Sequence, residues 1–77
     1  MSRIRVAALQ MCSGNHWQDN REVVADGLRQ AAAEAVQLVV LPENFAVFGP
    51  EATVQVAAAW DEIVSWLAGQ ARTHGLW

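Results

Sequence analysis

The sequence has 77 residues, of which 53% are hydrophobic and 17% are charged, and its formal net charge is −3. This composition is too apolar for a disordered chain, and the weak negative charge gives no electrostatic reason to expect nucleic acid or an anionic membrane as a partner. One cysteine, Cys12, excludes an internal disulfide, and no Cys/His spacing typical of a metal site occurs.

The first predicted element is a buried strand over residues 4–11. This stretch is short and partly β-branched, and polar loop residues follow it. The polar stretch at 13–20 predicts a loop, in which Asp19 or Asn20 caps the following helix. A helix is predicted from about residue 21 to residue 35. Its apolar positions fall on one face, namely Val24, Leu28, Ala31 and Ala35.

The second strand is predicted over residues 37–41, which are apolar on both faces, as in a parallel strand covered by other layers. Residues 43–50 form a connection, and a second helix covers about 53–74. An apolar stripe in this helix predicts that Trp60 is buried, while Trp66 lies off the stripe: Ala57, Trp60, Val64, Leu67 and Ala71. Gly75 suits a left-handed helix end, and Leu76 and Trp77 begin a third strand.

The order strand, helix, strand, helix and start of a strand predicts an α/β fold with parallel strands joined by right-handed crossovers. Two strands alone leave both sheet edges unpaired, which favours an incomplete sheet. We therefore expect residues 1–77 to be the N-terminal segment of a single domain that continues beyond them. No apolar run approaches the roughly 20 residues of a membrane helix, so no membrane partner is expected.

Glu43 is the candidate catalytic residue, because functional groups in α/β sheets gather at the carboxyl ends of the strands. Pro42 turns the chain out of the strand there. The apolar neighbours Leu41, Phe45 and Phe48 are expected to shield the Glu43 carboxylate from water, which suits a general base. A glutamate that caps the next turn, or one that is simply solvated, explains the same position without a catalytic role.

Several stretches resemble the N-terminus of the nitrilase superfamily of carbon–nitrogen hydrolases. They are VAALQM at 6–11, an alanine-rich helix, LVVLPENF at 38–45, Phe48-Gly49, and HGLW at 74–77. The amidase branch, which includes deaminated-glutathione amidases, is the most similar. The resemblance implies an αββα sandwich, hydrolysis of a small amide, a homodimer, no cofactor, and a Glu–Lys–Cys triad whose base is Glu43.

The sequence departs from the family pattern in two respects. It has no lysine, and Cys12 follows the first strand, where it is expected to be a half-buried structural residue and not the nucleophile. The chain alone is therefore expected to be inactive. The family's glycine-containing turn is replaced by Ala35-Val36-Gln37. A left-handed backbone conformation at an alanine there costs about 1 kcal/mol relative to glycine.

The sequence leaves other interpretations open. One is an inactive α/β remnant or a module that binds a partner through its open sheet edge. A nucleotide-binding protein is disfavoured, because residues 11–17 form no glycine-rich phosphate loop. Asn44 and Phe45 are candidates for orienting Glu43 or lining a pocket, whereas His16 and His74 are expected to be solvated or capping residues. The lone cysteine is consistent with a reducing, cytoplasmic location.

Overall fold

A computed structural model describes residues 3–77, which form two strands and three helices in the order β1, α1, β2, α2, α3. Their bounds are β1 Val6–Ala8, α1 Trp17–Ala33, β2 Leu38–Val40, α2 Ala52–Ala58 and α3 Trp60–His74. The mixed helix and strand content agrees with the predicted α/β class. No helix within the described range has the length and hydropathy needed to cross a membrane.

The two strands are parallel, with Val6 opposite Leu38 and Ala8 opposite Val40. On the other side of β2, the Trp77 N–H donates to the Gln37 carbonyl at 2.9 Å, and the Trp77 carbonyl accepts from the Val39 N–H at 3.0 Å. This is the hydrogen-bond pattern of a further parallel strand. It occurs where the sequence predicts the third strand to begin, and it makes β2 the central strand.

Both long helices pack on one face of this sheet. The main core combines buried residues of α1 with Val36 and Leu76, and alternate strand residues such as Leu9 and Val39 pack against it. The opposite face carries Ile4, Val6 and Val40, all of which are exposed. The sheet is therefore covered on one side only within the described residues.

A second core lies beyond the carboxyl ends of the strands and centres on Trp17, which is 3% exposed. Trp17 meets Trp66 edge-on at a ring-centroid distance of 5.5 Å and Phe45 at 6.3 Å. Ala46, Val47 and Ile63 complete this cluster. It joins α1, α3 and the loop after β2, so the position of that loop depends on aromatic packing.

The first helix differs from its prediction at both ends. It begins at Trp17, with His16 at the N-cap position and no side-chain cap, so the predicted caps Asp19 and Asn20 lie inside the helix. Burial of Trp17 accounts for the early start. At the other end the helix stops at Ala33, so the predicted place of Ala35 on the apolar helix face is wrong. Ala35 is exposed and left-handed with φ of 59°, the conformation considered for the turn that replaces the family's glycine-containing turn.

The predicted second helix is two helices, separated at Ala59, whose backbone adopts φ −105° and ψ 14°. The predicted stripe is wrong at Trp60, which is 58% exposed, and at Val64, which is also exposed. Leu67, another predicted member, does pack inward, and Ile63, which was not predicted, is buried. The face that packs inward carries Ile63 and Trp66 because Trp17 provides a large aromatic surface there. Gly75 ends α3 with φ of 65°, as predicted.

Candidate active site

Glu43 lies in a tight turn directly after β2. The Phe45 N–H donates to the Pro42 carbonyl at 3.2 Å, which places Glu43 and Asn44 at the two central positions of the turn. Pro42 has no N–H to offer a neighbouring strand, so the chain leaves the sheet at this point. The turn therefore presents the Glu43 carboxylate at the carboxyl-terminal rim of the sheet.

The predicted shielding of Glu43 is wrong, because its side chain is exposed. The ring of Phe45 packs in the cluster around Trp17. Phe48 is itself 59% exposed. The aromatic residues near Glu43 in sequence thus serve the core or face solvent, and the carboxylate remains accessible within residues 3–77.

Asn20 fixes the loop that carries Glu43. Its side-chain oxygen accepts from the Gly14 N–H at 2.9 Å, and its amide nitrogen donates to the Gly14 carbonyl at 2.9 Å and the Ala46 carbonyl at 2.7 Å. The Phe48 N–H also donates to the Gly14 carbonyl at 2.9 Å. One buried side chain therefore ties the loop after β1 to the loop after β2.

Glu43 borders two clefts. The first, here called the Trp60 cleft, has a volume of about 440 Å³ and lies between the Glu43 turn, α2 and the start of α3. Its lining residues are Glu43, Asn44, Phe45, Ala46, Val47, Ala52, Thr53, Val56, Ala57, Trp60 and Ile63. The second, here called the Cys12 cleft, has a volume of about 350 Å³ and lies between the loops that follow β1 and β2. Its lining residues are Met11, Cys12, Ser13, Pro42, Glu43, Asn44 and Phe48.

The structure brings Cys12 to the same cleft as Glu43. Cys12 is exposed, so its predicted half-buried position is wrong. No local pattern predicts that Cys12 lies near Glu43, since the approach of the two loops depends on the hydrogen bonds of Asn20. Cys12 nevertheless follows the first strand, which is not where the family pattern places its nucleophile.

Of the other four predicted candidates, two line the clefts and two do not. Asn44 borders both clefts and Phe45 borders the Trp60 cleft, whereas His16 and His74 line neither. Residues 3–77 contain no group of three or more side chains that could hold a metal ion. The bridging role of Asn20 and the α2 wall were not predicted, because no local pattern marks an asparagine that bridges two loops.

Comparison with known families gives one match: a family model described as carbon-nitrogen hydrolase covers residues 5–77. The comparisons with curated proteins and with solved structures gave no match. The matched range contains both strands, the turn that carries Glu43, and all residues that line its two clefts.

Proposed function

Because the chain belongs to the carbon–nitrogen hydrolase family, we propose that it supplies the general base, Glu43, of an enzyme that hydrolyses a small amide. The observation that carries the proposal is the exposed carboxylate of Glu43 between two clefts at the carboxyl-terminal rim of a parallel sheet. Functional groups of α/β folds collect at this rim. The stretch LVVLPENF resembles the amidase branch of the family, and this resemblance supports an amide as the substrate.

The mechanism follows from the Glu–Lys–Cys triad that the resemblance implies. Glu43 takes the proton from a cysteine thiol, and the thiolate attacks the amide carbon. A lysine ammonium and backbone N–H groups stabilise the negative oxygen of the tetrahedral intermediate. Glu43 then gives its proton to the departing amine, which leaves a thioester. Water attacks the thioester, its proton passes through Glu43 to the thiolate, and a carboxylic acid is released.

These residues provide one of the three catalytic groups. The sequence has no lysine, and its single cysteine, Cys12, follows the first strand. In this proposal the lysine and the nucleophilic cysteine come from polypeptide outside these 77 residues, so the 77-residue chain alone does not turn over an amide. The segment is then the N-terminal part of one hydrolase domain, which acts as a homodimer in the cytoplasm without a cofactor.

The exposed sheet face supports the αββα arrangement of that domain. Ile4, Val6 and Val40 form an apolar surface opposite the helices, and such surfaces are usually covered. In an αββα sandwich a second sheet packs there. The same surface is the observation that favours the alternative function, in which the chain binds a partner protein and has no catalytic role.

The test uses the protein expressed from its complete reading frame. We expect hydrolysis of a small amide, and we expect Glu43→Gln to lower kcat by about 10²–10⁴-fold because proton transfer is lost. Glu51→Gln is the matched control, since Glu51 is an exposed glutamate in the same loop that lines neither cleft. Equal activity of the two variants would overturn the role of Glu43. A wild-type protein without amide hydrolysis would favour the partner-binding alternative.

A further inference from the structure

The Trp60 cleft has one charge and a predominantly apolar wall. Among residues 3–77, Glu43 is the single ionisable side chain that lines it. Val47, Val56 and Ile63 form the wall, and Asn44 and Thr53 are its uncharged polar members. A volume of about 440 Å³ falls within the range of small-molecule sites. The cleft therefore favours an apolar group of a ligand.

Trp60 gives the cleft a wide apolar surface. Its side chain is 58% exposed, although tryptophan is usually buried for most of its area. The indole ring lies at the edge of the cleft that Glu43 also borders. An aromatic or branched aliphatic group inside the cleft would cover this ring and remove apolar area from water.

The opposite side of Glu43 is different. The Cys12 cleft is lined by Cys12 and Ser13 together with Phe48, which is 59% exposed. Glu43 thus separates a mainly apolar cleft from one that carries a thiol and a hydroxyl. The apolar part of a substrate has an obvious place on the Trp60 side, while the reacting bond must remain within reach of the Glu43 carboxylate.

We infer that the Trp60 cleft binds an uncharged apolar substituent, aromatic or branched aliphatic, attached to the carbonyl group of the substrate. The inference rests on the proposed function, since it takes Glu43 as the base. The substituent would remove its apolar area from water against the apolar wall and the Trp60 ring. The site therefore selects amides whose acyl group carries a bulky apolar substituent over amides that lack one.

The experiment measures binding, so that it does not depend on turnover. The probes are 4-phenylbutan-2-one, which carries an aromatic substituent and cannot be hydrolysed, and butan-2-one, which keeps the carbonyl group and lacks the ring. Isothermal titration and saturation-transfer NMR are performed on the protein expressed from its complete reading frame. We expect butan-2-one to bind at least about 10-fold more weakly than 4-phenylbutan-2-one, because it has no ring to cover the apolar wall.

Two exposed aromatic residues provide the matched variants. We expect Trp60→Ala to weaken binding of 4-phenylbutan-2-one at least about 5-fold, because the stacking surface is lost, and Phe48→Ala to change it less than about 2-fold. Undetectable binding of 4-phenylbutan-2-one, equal binding of butan-2-one, or a larger effect of Phe48→Ala than of Trp60→Ala would each overturn the inference. These outcomes leave the role of Glu43 open to its own kinetic test, so failure of the two proposals can be distinguished.

Discussion

The side-chain amide of Asn20 donates a 2.7 Å hydrogen bond to the backbone carbonyl of Ala46, three residues beyond Glu43. Asn20 is 3% exposed and belongs to α1, whereas Ala46 belongs to the loop after β2. The remaining hydrogen bonds of the amide go to Gly14 in the loop after β1. The candidate base is thus positioned by a residue that precedes it by more than 20 positions in the chain.

We expect Asn20→Ala to lower the free energy of unfolding by about 2–4 kcal/mol, since three hydrogen bonds of about 1 kcal/mol each are lost in a buried place. Urea unfolding followed by circular dichroism measures the change. Gln18→Ala, at an exposed position of the same helix, is the control and should change stability by less than about 0.5 kcal/mol. Equal effects of the two substitutions would contradict the bridging role of Asn20.

The same substitution should have very different effects at two tryptophans. Trp17→Ala removes a side chain that is 3% exposed and should cost about 3–5 kcal/mol, through lost burial and a new cavity. Trp60→Ala removes a side chain that is 58% exposed and should cost less than about 1 kcal/mol. Thermal and chemical unfolding of the two variants compares them directly. A large loss for Trp60→Ala would mean that Trp60 is covered in solution.

The ends of α1 and α3 offer a reciprocal pair of substitutions. After α1 the Val36 N–H donates to the Ala31 carbonyl across Ala35, and after α3 the Leu76 N–H donates to the Ala71 carbonyl across Gly75. Both intervening residues are left-handed, with φ of 59° and 65°.

We therefore expect Ala35→Gly to stabilise the protein by about 0.5–1 kcal/mol and Gly75→Ala to destabilise it by a similar amount, because alanine strains this conformation. No atom lies within 4 Å of a Cβ added at Gly75, so its substitution tests the backbone alone. Denaturant midpoints of the two variants should move in opposite directions. A shift in the same direction would show that side-chain contacts, and not backbone conformation, decide the effect.

Two glycines inside helices test packing against helix propensity. A Cβ at Gly69 of α3 would meet nothing closer than 3.9 Å, so Gly69→Ala should gain about 0.5–1 kcal/mol of stability. A Cβ at Gly27 of α1 would come within 2.5 Å of a Leu9 methyl carbon and 3.4 Å of Leu9 Cγ, in the packed core. Gly27→Ala should lose about 1–3 kcal/mol to this overlap. A Gly27→Ala protein as stable as Gly69→Ala would show that Leu9 can move aside freely.

The sequence predicts the order of elements and the place of Glu43 because both depend on local signals. A continuous apolar run followed by Pro42 marks the end of a strand in any context. The left-handed helix end at Gly75 is also predicted locally, because glycine favours that conformation after the last helical residue.

The surroundings of Glu43 were not predictable in the same way. Apolar neighbours in sequence suggested a shielded carboxylate, but Phe45 contributes its ring to the cluster of Trp17 instead. The inward face of α3 differs from its prediction for the same reason. The apolar stripe predicts that Trp60 packs inward, but the residues that pack in the cluster of Trp17 are Ile63 and Trp66. Long-range aromatic packing decided both features.

The hydrogen bonds of Trp77 have a topological consequence. Strands lie across the sheet in the same order as along the chain, β1, then β2, then the backbone at Trp77. The strand order does not reverse within the described residues. These residues therefore contain no crevice of the kind that forms where the strand order reverses in doubly wound nucleotide-binding sheets. Every parallel strand added in this direction ends at the rim where Glu43 stands. Catalytic groups carried at the ends of successive strands would therefore accumulate along one line beside it.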